Sequence, residues 1–140
     1  MKSFEEYLKE GVAKKHSPDL LRAKSLIQES ENDCQVLADL IKLSGITEKN
    51  ANHIIKNSYD IFMPLIRAKM LIKGYSSTGQ GAHEAEVAFM RELGFQETEV
   101  EFADNIRFFR NSILYYGKKY DAELAQKIFE FAEKIAKKLK

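Results

Sequence analysis

The stretch Ile54-Ile55-Lys56-Asn57-Ser58-Tyr59-Asp60-Ile61-Phe62-Met63-Pro64-Leu65-Ile66-Arg67-Ala68-Lys69-Met70 decides the fold class. Ile55, Tyr59, Phe62, Ile66 and Met70 recur at steps of three and four, and Ile54, Ile61, Leu65 and Ala68 widen the same apolar face. That period belongs to an α-helix with one side against a core, whereas a half-buried strand would alternate every second residue. The row runs on to Lys73-Gly74. Upstream, Ile46 stands before Thr47, an apolar residue ahead of an N-cap, so the helix is predicted from about residue 48 to 73. Pro64 is expected to kink it, because its ring collides with the carbonyl of Asp60 and removes one backbone bond.

Further upstream, Leu20, Ile27, Cys34 and Ile41 repeat every seven residues, with Ala23, Ser30, Leu37 and Ser44 between them. This predicts a long helix at about 18 to 43 with one narrow apolar seam. Ser17-Pro18-Asp19 reads as N-cap plus proline at the first helical position, and Ser44-Gly45 ends the helix. A short helix at about 3 to 14 comes first. Downstream of the glycine-rich loop Gly74 to Gly81, helices are predicted at about 82 to 93, 98 to 116 and 120 to 139, divided by Gly94 and Gly117. The expectation is an all-α, up-and-down helical bundle of four to five main helices, a single domain over 1–140 with residues 1–16 appended as a short N-terminal helix. Its 140 residues leave room for one ordinary domain, which buries roughly two-thirds of its unfolded surface.

A net charge of +1 gives no global attraction to nucleic acid, so phosphate binding has to come from a local cluster of arginine and lysine. No apolar run approaches the roughly 18 residues of a membrane span, and the acidic opening lacks the apolar stretch of a signal peptide. A cytoplasmic protein without a membrane partner is expected. A single cysteine excludes an intrachain disulfide and a cysteine zinc cluster, and its place between Ile27 and Ile41 predicts a buried, inert thiol. The 74–81 loop has Gln80-Gly81 where a phosphate-binding loop needs Lys then Ser or Thr, and no strand is expected before it. His83-Glu84 opens like a zinc protease helix, yet Val87 takes the second ligand's place. With His16, His53 and His83 on separate elements, no metal and no cofactor are expected, and His83 reads as a polar residue in the first turn of a surface helix. Lys134, Lys137, Lys138 and Lys140, interleaved with Glu130 and Glu133, suit the solvated C-terminal end of a helix dipole.

The helix at 98 to 116 is different, because its apolar residues keep to no single face. Phe102, Ile106, Phe109, Ile113 and Tyr116 form one stripe, and Phe108 and Tyr115 lie on another. One stripe suits the domain's own core and the other a partner chain. Into this apolar setting fall Arg107, Arg110, Asn111 and Ser112. Arg107 and Arg110 share a face at helical spacing, so together they suit one phosphate. They suit equally well two structural salt bridges to carboxylates such as Asp104 or Glu101.

The segment Arg107-Phe-Phe-Arg-Asn-Ser-Ile-Leu-Tyr-Tyr-Gly117 resembles the HEPN family, small α-helical domains that include toxins, nucleotidyltransferase partners and RNA-targeting ribonucleases. The likeness extends to the Tyr-Leu-Lys-Glu-Gly opening, Ser17-Pro18-Asp19, the stretch from Tyr59 to Tyr75 and the His83 loop. Catalytic members carry arginine, often followed by asparagine, and a histidine after a gap of four to six residues. Arg110 and Asn111 match, and Tyr115 or Tyr116 stands in the histidine's place. The family's metal-independent attack of a 2′-hydroxyl on phosphate needs acid-base transfer. Tyrosine's reference pKa lies about 3.5 units above histidine's, so roughly one in a thousand would be a phenolate base at neutral pH. General acid-base catalysis is worth about 10²- to 10⁴-fold, and most of that is lost with the histidine.

The resemblance therefore implies a homodimer that binds RNA or nucleotide phosphate through Arg107, Arg110, Asn111, Tyr115 and Tyr116. It implies weak or no ribonuclease activity and a nucleotidyltransferase partner of toxin-antitoxin type. An active ribonuclease, with Arg110 and Tyr115 as its catalytic pair, is one alternative. A purely structural dimerisation module is the other.

Overall fold

The computed structural model describes residues 1–139; Lys140, last of the basic C-terminal lysines, lies outside the described residues. The architecture is an all-α helical bundle with one two-stranded ribbon. In chain order it comprises α1 (Phe4–Lys9), β1 (Ala13–Lys15), α2 (Leu20–Ser44), α3 (Ala51–Lys73), β2 (Tyr75–Ser77), α4 (Ala82–Phe89), a 3₁₀ turn (Met90–Leu93), α5 (Glu97–Tyr116) and α6 (Ala122–Leu139). Residues 1–27 and 63–104 make one compact unit, and residues 28–62 and 105–140 another.

In the first unit, Ser3 caps α1 by accepting from the Glu6 amide at 3.2 Å, and Phe4 and Tyr7 point into the core. Arg91 holds this end of the chain, forking onto Glu97 at 2.8 and 2.7 Å and donating to the Lys2 carbonyl at 2.9 Å. The helix predicted over 3 to 14 stops early because Gly11, at φ +78°, turns the chain. Residues 13–15 then pair antiparallel with β2 in the register Ala13↔Ser77, Lys14↔Ser76 and Lys15↔Tyr75. The 74–81 loop thus contains a strand, contrary to expectation. Pairing between segments 60 residues apart overrides local propensity here.

The cap of α2 also differs from the sequence reading. Asp19 rather than Ser17 receives the Arg22 amide, at 3.1 Å, because Asp19's own amide is committed to the Leu71 carbonyl and the first turn closes only beyond it. Ala23, Ala68 and Leu71 pack beneath. Phe4, Tyr75 and Phe89 meet edge to face or tilted, with centroids 4.8 to 5.9 Å apart.

In the second unit, α2 is anchored by Ser30, whose buried hydroxyl donates to the Ile61 carbonyl at 2.6 Å, and by Leu37. The line of small residues is thus the one that faces inward, and Ile27, Cys34 and Ile41 flank it half-buried. Cys34 is a half-buried thiol, not the fully buried one expected. Thr47 and Asn50 bond reciprocally, side chain to amide, at 3.2 and 2.8 Å. The reciprocal pair holds 47–50 in a turn, which delays the start of α3 to Ala51. The helix continues unbroken through Pro64.

The buried face of α6 is formed by Ala125, Ile128, Phe129, Ala132 and Ile135, and Phe131 meets Phe62 edge-on at 5.6 Å. Lys137 and Lys138 fall in its exposed last turn, as expected of a solvated helix end. The link between α5 and α6 is clamped by Asn52, which donates to the Lys118 carbonyl at 2.8 Å and accepts from the Tyr120 amide at 3.0 Å.

Gly74 sits at φ +87°, and a β-carbon there would lie 2.5 Å from the His16 carbonyl oxygen, across from the start of the ribbon. Gly74→Ala should therefore cost more than about 2 kcal/mol, combining left-handed strain with a backbone clash. Gly79→Ala, at φ +77° in open space, should cost only about 1 kcal/mol. Urea denaturation of the two variants checks this ordering.

Candidate functional site

Helix α5 carries all five residues assigned to phosphate or nucleotide binding, Arg107, Arg110, Asn111, Tyr115 and Tyr116. Its inner side buries Ile106 completely, and Phe109 meets the ring of Tyr120 at 5.1 Å. Its last turns are tied by Ser112, whose hydroxyl donates to the Phe108 carbonyl at 2.8 Å and whose carbonyl accepts from the Lys118 amide at 3.2 Å. The helix stays intact to Tyr116 and ends at Gly117, φ +63°. No fraying brings its side chains out of helical register. The second stripe is uncovered within the chain: Phe108 is 54% and Tyr115 73% exposed. Tyr116, assigned by periodicity to the inner stripe, is exposed as well, because it is the last helical residue and no packed element reaches beyond it.

The two arginines lean on different neighbours. Arg110 lies with its guanidinium carbon 5.0 Å from the Tyr59 ring centroid, and its Nε is 3.8 Å from Asp60 Oδ1. The acid it meets belongs to α3 and is neither of the two that the sequence suggested. Arg107 lies over the ring of Phe108 at 4.5 Å. Five helical residues rotate about 140°, so Arg110 and Tyr115 do not meet within the chain. Steps of three, four and seven place Phe108, Asn111 and Tyr115 on one face instead, with Arg107 at its edge. The structure therefore gathers Arg107, Phe108, Asn111 and Tyr115 along an open strip. Arg110 turns toward α3, and Tyr116 lies at the helix end. Phe108 was missed as a site residue, although its seven-residue spacing from Tyr115 was the signal that could have found it.

A second cluster was not assembled by the sequence reading, which left His83 as a polar residue in the first turn of a surface helix and did not single out Glu86 or Arg67. Glu86 of α4 is a buried carboxylate, 3% exposed, held by Arg67 of α3 through Nε at 2.5 Å and Nη2 at 3.2 Å. His83 Nδ1 lies 2.9 Å from Oε1 of the same carboxylate. Burial works to raise the pKa of Glu86, and the hydrogen bonds from His83 and Arg67 outweigh it, so the group is held below the usual glutamate value. The signal was a lone acid within Ala85-Glu86-Val87-Ala88-Phe89 and a lone base within Leu65-Ile66-Arg67-Ala68, each needing a partner.

Among the described residues, no three His, Cys, Asp or Glu gather as metal ligands, and no helix is long and apolar enough to cross a membrane.

Arg67→Ala leaves the Glu86 charge buried with one partner and should cost about 3 to 5 kcal/mol. His83→Ala, which keeps the Arg67 fork, should cost about 1 kcal/mol. Because the folded pKa of Glu86 is depressed, its contribution is present above the unfolded pKa of about 4.3 and is lost as pH falls through the folded value. Melting temperatures followed below about pH 4.3 should thus drop more steeply for the wild type than for Glu86→Gln.

The chain matches no family model, no curated protein and no solved structure, so its site is read from its own chemistry.

Proposed function

We propose that the chain is a cytoplasmic, homodimeric HEPN-like protein that binds RNA or nucleotide phosphate along α5, with weak or absent ribonuclease activity. A nucleotidyltransferase in a toxin-antitoxin type pair is the partner that the family resemblance implies. The observation that carries the reading is the open strip of Arg107, Phe108, Asn111 and Tyr115, which combines aromatic faces with a cation and an amide. Aromatic faces stack bases at about 1 to 3 kcal/mol each, and arginine receives phosphate through its planar fork. Arg110 remains available to an anion, since a 3.8 Å pair between partly open side chains is worth less than about 1 kcal/mol. Weak activity follows from the tyrosine that stands in the place of the family's histidine and is turned away from Arg110 along the helix.

The contact between Arg110 and Asp60 also favours a second reading, in which the arginines are structural and α5 is only a dimerisation face. The two readings part on one variant. Binding of a fluorescein-labelled single-stranded RNA, followed by anisotropy in EDTA, should be abolished by Arg110→Ala with little change in melting temperature. Tyr115→Ala should weaken it about 5- to 150-fold, the equivalent of one lost stacking contact. Unchanged affinity in Arg110→Ala, together with a weaker dimer in gel filtration, would establish the structural module instead.

A further inference from the structure

Residues of the first compact unit line a cavity of about 420 Å³, within the roughly 300 to 1,000 Å³ of small-molecule sites. Its floor is apolar. Phe4 and Phe89 are buried there with ring centroids 4.8 Å apart, and Leu8 and Tyr75 are half-buried. The Tyr75 hydroxyl makes no hydrogen bond among the described residues. The rest of the lining is charged: Glu5 of α1, Glu92 of the 3₁₀ turn and Lys73, the last residue of α3, are all exposed. Among the described residues none of these three side chains forms an ion pair or a hydrogen bond. The cations nearest the two acids in sequence are engaged elsewhere, Lys2 with Glu10 and Arg91 with Glu97. The backbone beneath the charges is fixed. Arg91 bonds the Lys2 carbonyl at 2.9 Å, tying the start of the chain to the 3₁₀ turn, and the His16 amide bonds the Gly74 carbonyl at 2.8 Å beside Lys73.

Two carboxylates and one ammonium over an apolar floor define the ligand by complementarity. A monoamine answers one acid. A diamine answers both and sets a like charge against Lys73. An apolar amino acid answers Lys73 and one acid and leaves the other without a partner. A basic α-amino acid answers all three, and the methylenes that join its cations suit the floor. We propose that this cavity binds a free basic α-amino acid, with Lys73 and the Tyr75 hydroxyl receiving its carboxylate and Glu5 and Glu92 its two cationic groups. The assignment does not rest on the function proposed above, since α5's strip at 107–115 belongs to the other compact unit. A lysine at the carboxyl end of a polypeptide shares the side chain and the carboxylate but lacks the α-ammonium, so Nα-acetyl-L-lysine distinguishes that source.

The test titrates the isotope-labelled full chain with L-lysine, cadaverine, L-leucine and Nα-acetyl-L-lysine, followed by amide NMR shifts. L-Lysine should give saturable shifts at the amides around Phe4, Lys73 and Glu92. Each of the other three lacks one charged group and should bind about 2- to 5-fold more weakly, as expected for single ion pairs open to solvent. Glu5→Gln and Glu92→Gln should each weaken L-lysine by a similar factor, and Lys73→Gln should abolish its advantage over cadaverine. The same spectra show whether each variant keeps its fold. Absence of saturable shifts at these residues overturns the proposal, as do equal affinities for all four compounds or an L-lysine to cadaverine ratio unchanged by Lys73→Gln. Tighter binding of Nα-acetyl-L-lysine than of L-lysine overturns the free amino acid in favour of a polypeptide end.

Discussion

A rotation of 100° per residue along α5 governs what this chain does with Arg110. The helix is held intact to its last residue by the bonds at Ser112 and is stopped by Gly117, so side-chain directions follow from spacing alone. Arg110 consequently faces Tyr59 and Asp60, and Tyr115 faces solvent. What converges instead is a line of side chains one above the other, Phe108, Asn111 and Tyr115, with the Arg107 guanidinium laid on the first of them. A line along a helix is a surface for an extended ligand rather than a pocket for a compact one. That geometry suits a strand with repeating bases and phosphates better than a buried small molecule.

The cations Arg67 and Arg110 obey the same electrostatics with opposite outcomes. Arg67 meets a buried carboxylate at hydrogen-bond distance through two nitrogens, so withdrawing Arg67 leaves the Glu86 charge away from water with one partner fewer. Arg110 meets a half-exposed carboxylate at 3.8 Å, where solvent screens the pair and exchange of partners costs little. Rigidity and availability are thus assigned by burial. The locked pair holds His83 at hydrogen-bond distance, and the loose pair leaves the Arg110 guanidinium weakly held.

The helices were legible in the sequence wherever burial is periodic along one segment. The row from Ile55 to Met70 gave α3, and the core face of α6 likewise follows from spacing. What escaped reading depends on partners distant in sequence. Residues 13–15 become a strand only because 75–77 lie beside them, and Asp19 displaces Ser17 as cap only because Leu71 takes its amide. Cys34 shares the seven-residue repeat of α2, yet the line facing inward is the one through Ala23, Ser30 and Leu37, chosen by the close approach that Ser30 makes to Ile61. Along α5 the helix itself was legible and the grouping of its side chains was not: Arg107 and Arg110 share a face by spacing, but Phe108 draws one and Tyr59 with Asp60 the other. Glu86 was hidden for a related reason, since its partner Arg67 sits 19 residues away on another helix.

Exposed apolar side chains alone do not mark a binding face, and α2 shows why. Leu21, Val36 and Leu43 are all exposed on it, but they are scattered along 25 residues, and single exposed aliphatics are ordinary on protein surfaces. In α5, by contrast, Phe108, Leu114, Tyr115 and Tyr116 are exposed within the final turns of one helix, and three of the four are aromatic. Tyrosine and phenylalanine give up large hydration areas at small cost in side-chain entropy, because each has only two rotatable bonds to fix. The Arg107 guanidinium, 4.5 Å from the Phe108 ring centroid, adds a cation to this aromatic cluster. Exposed apolar groups thus amount to background on α2, while on α5 they form one aromatic cluster. Clustering and ring chemistry decide between them.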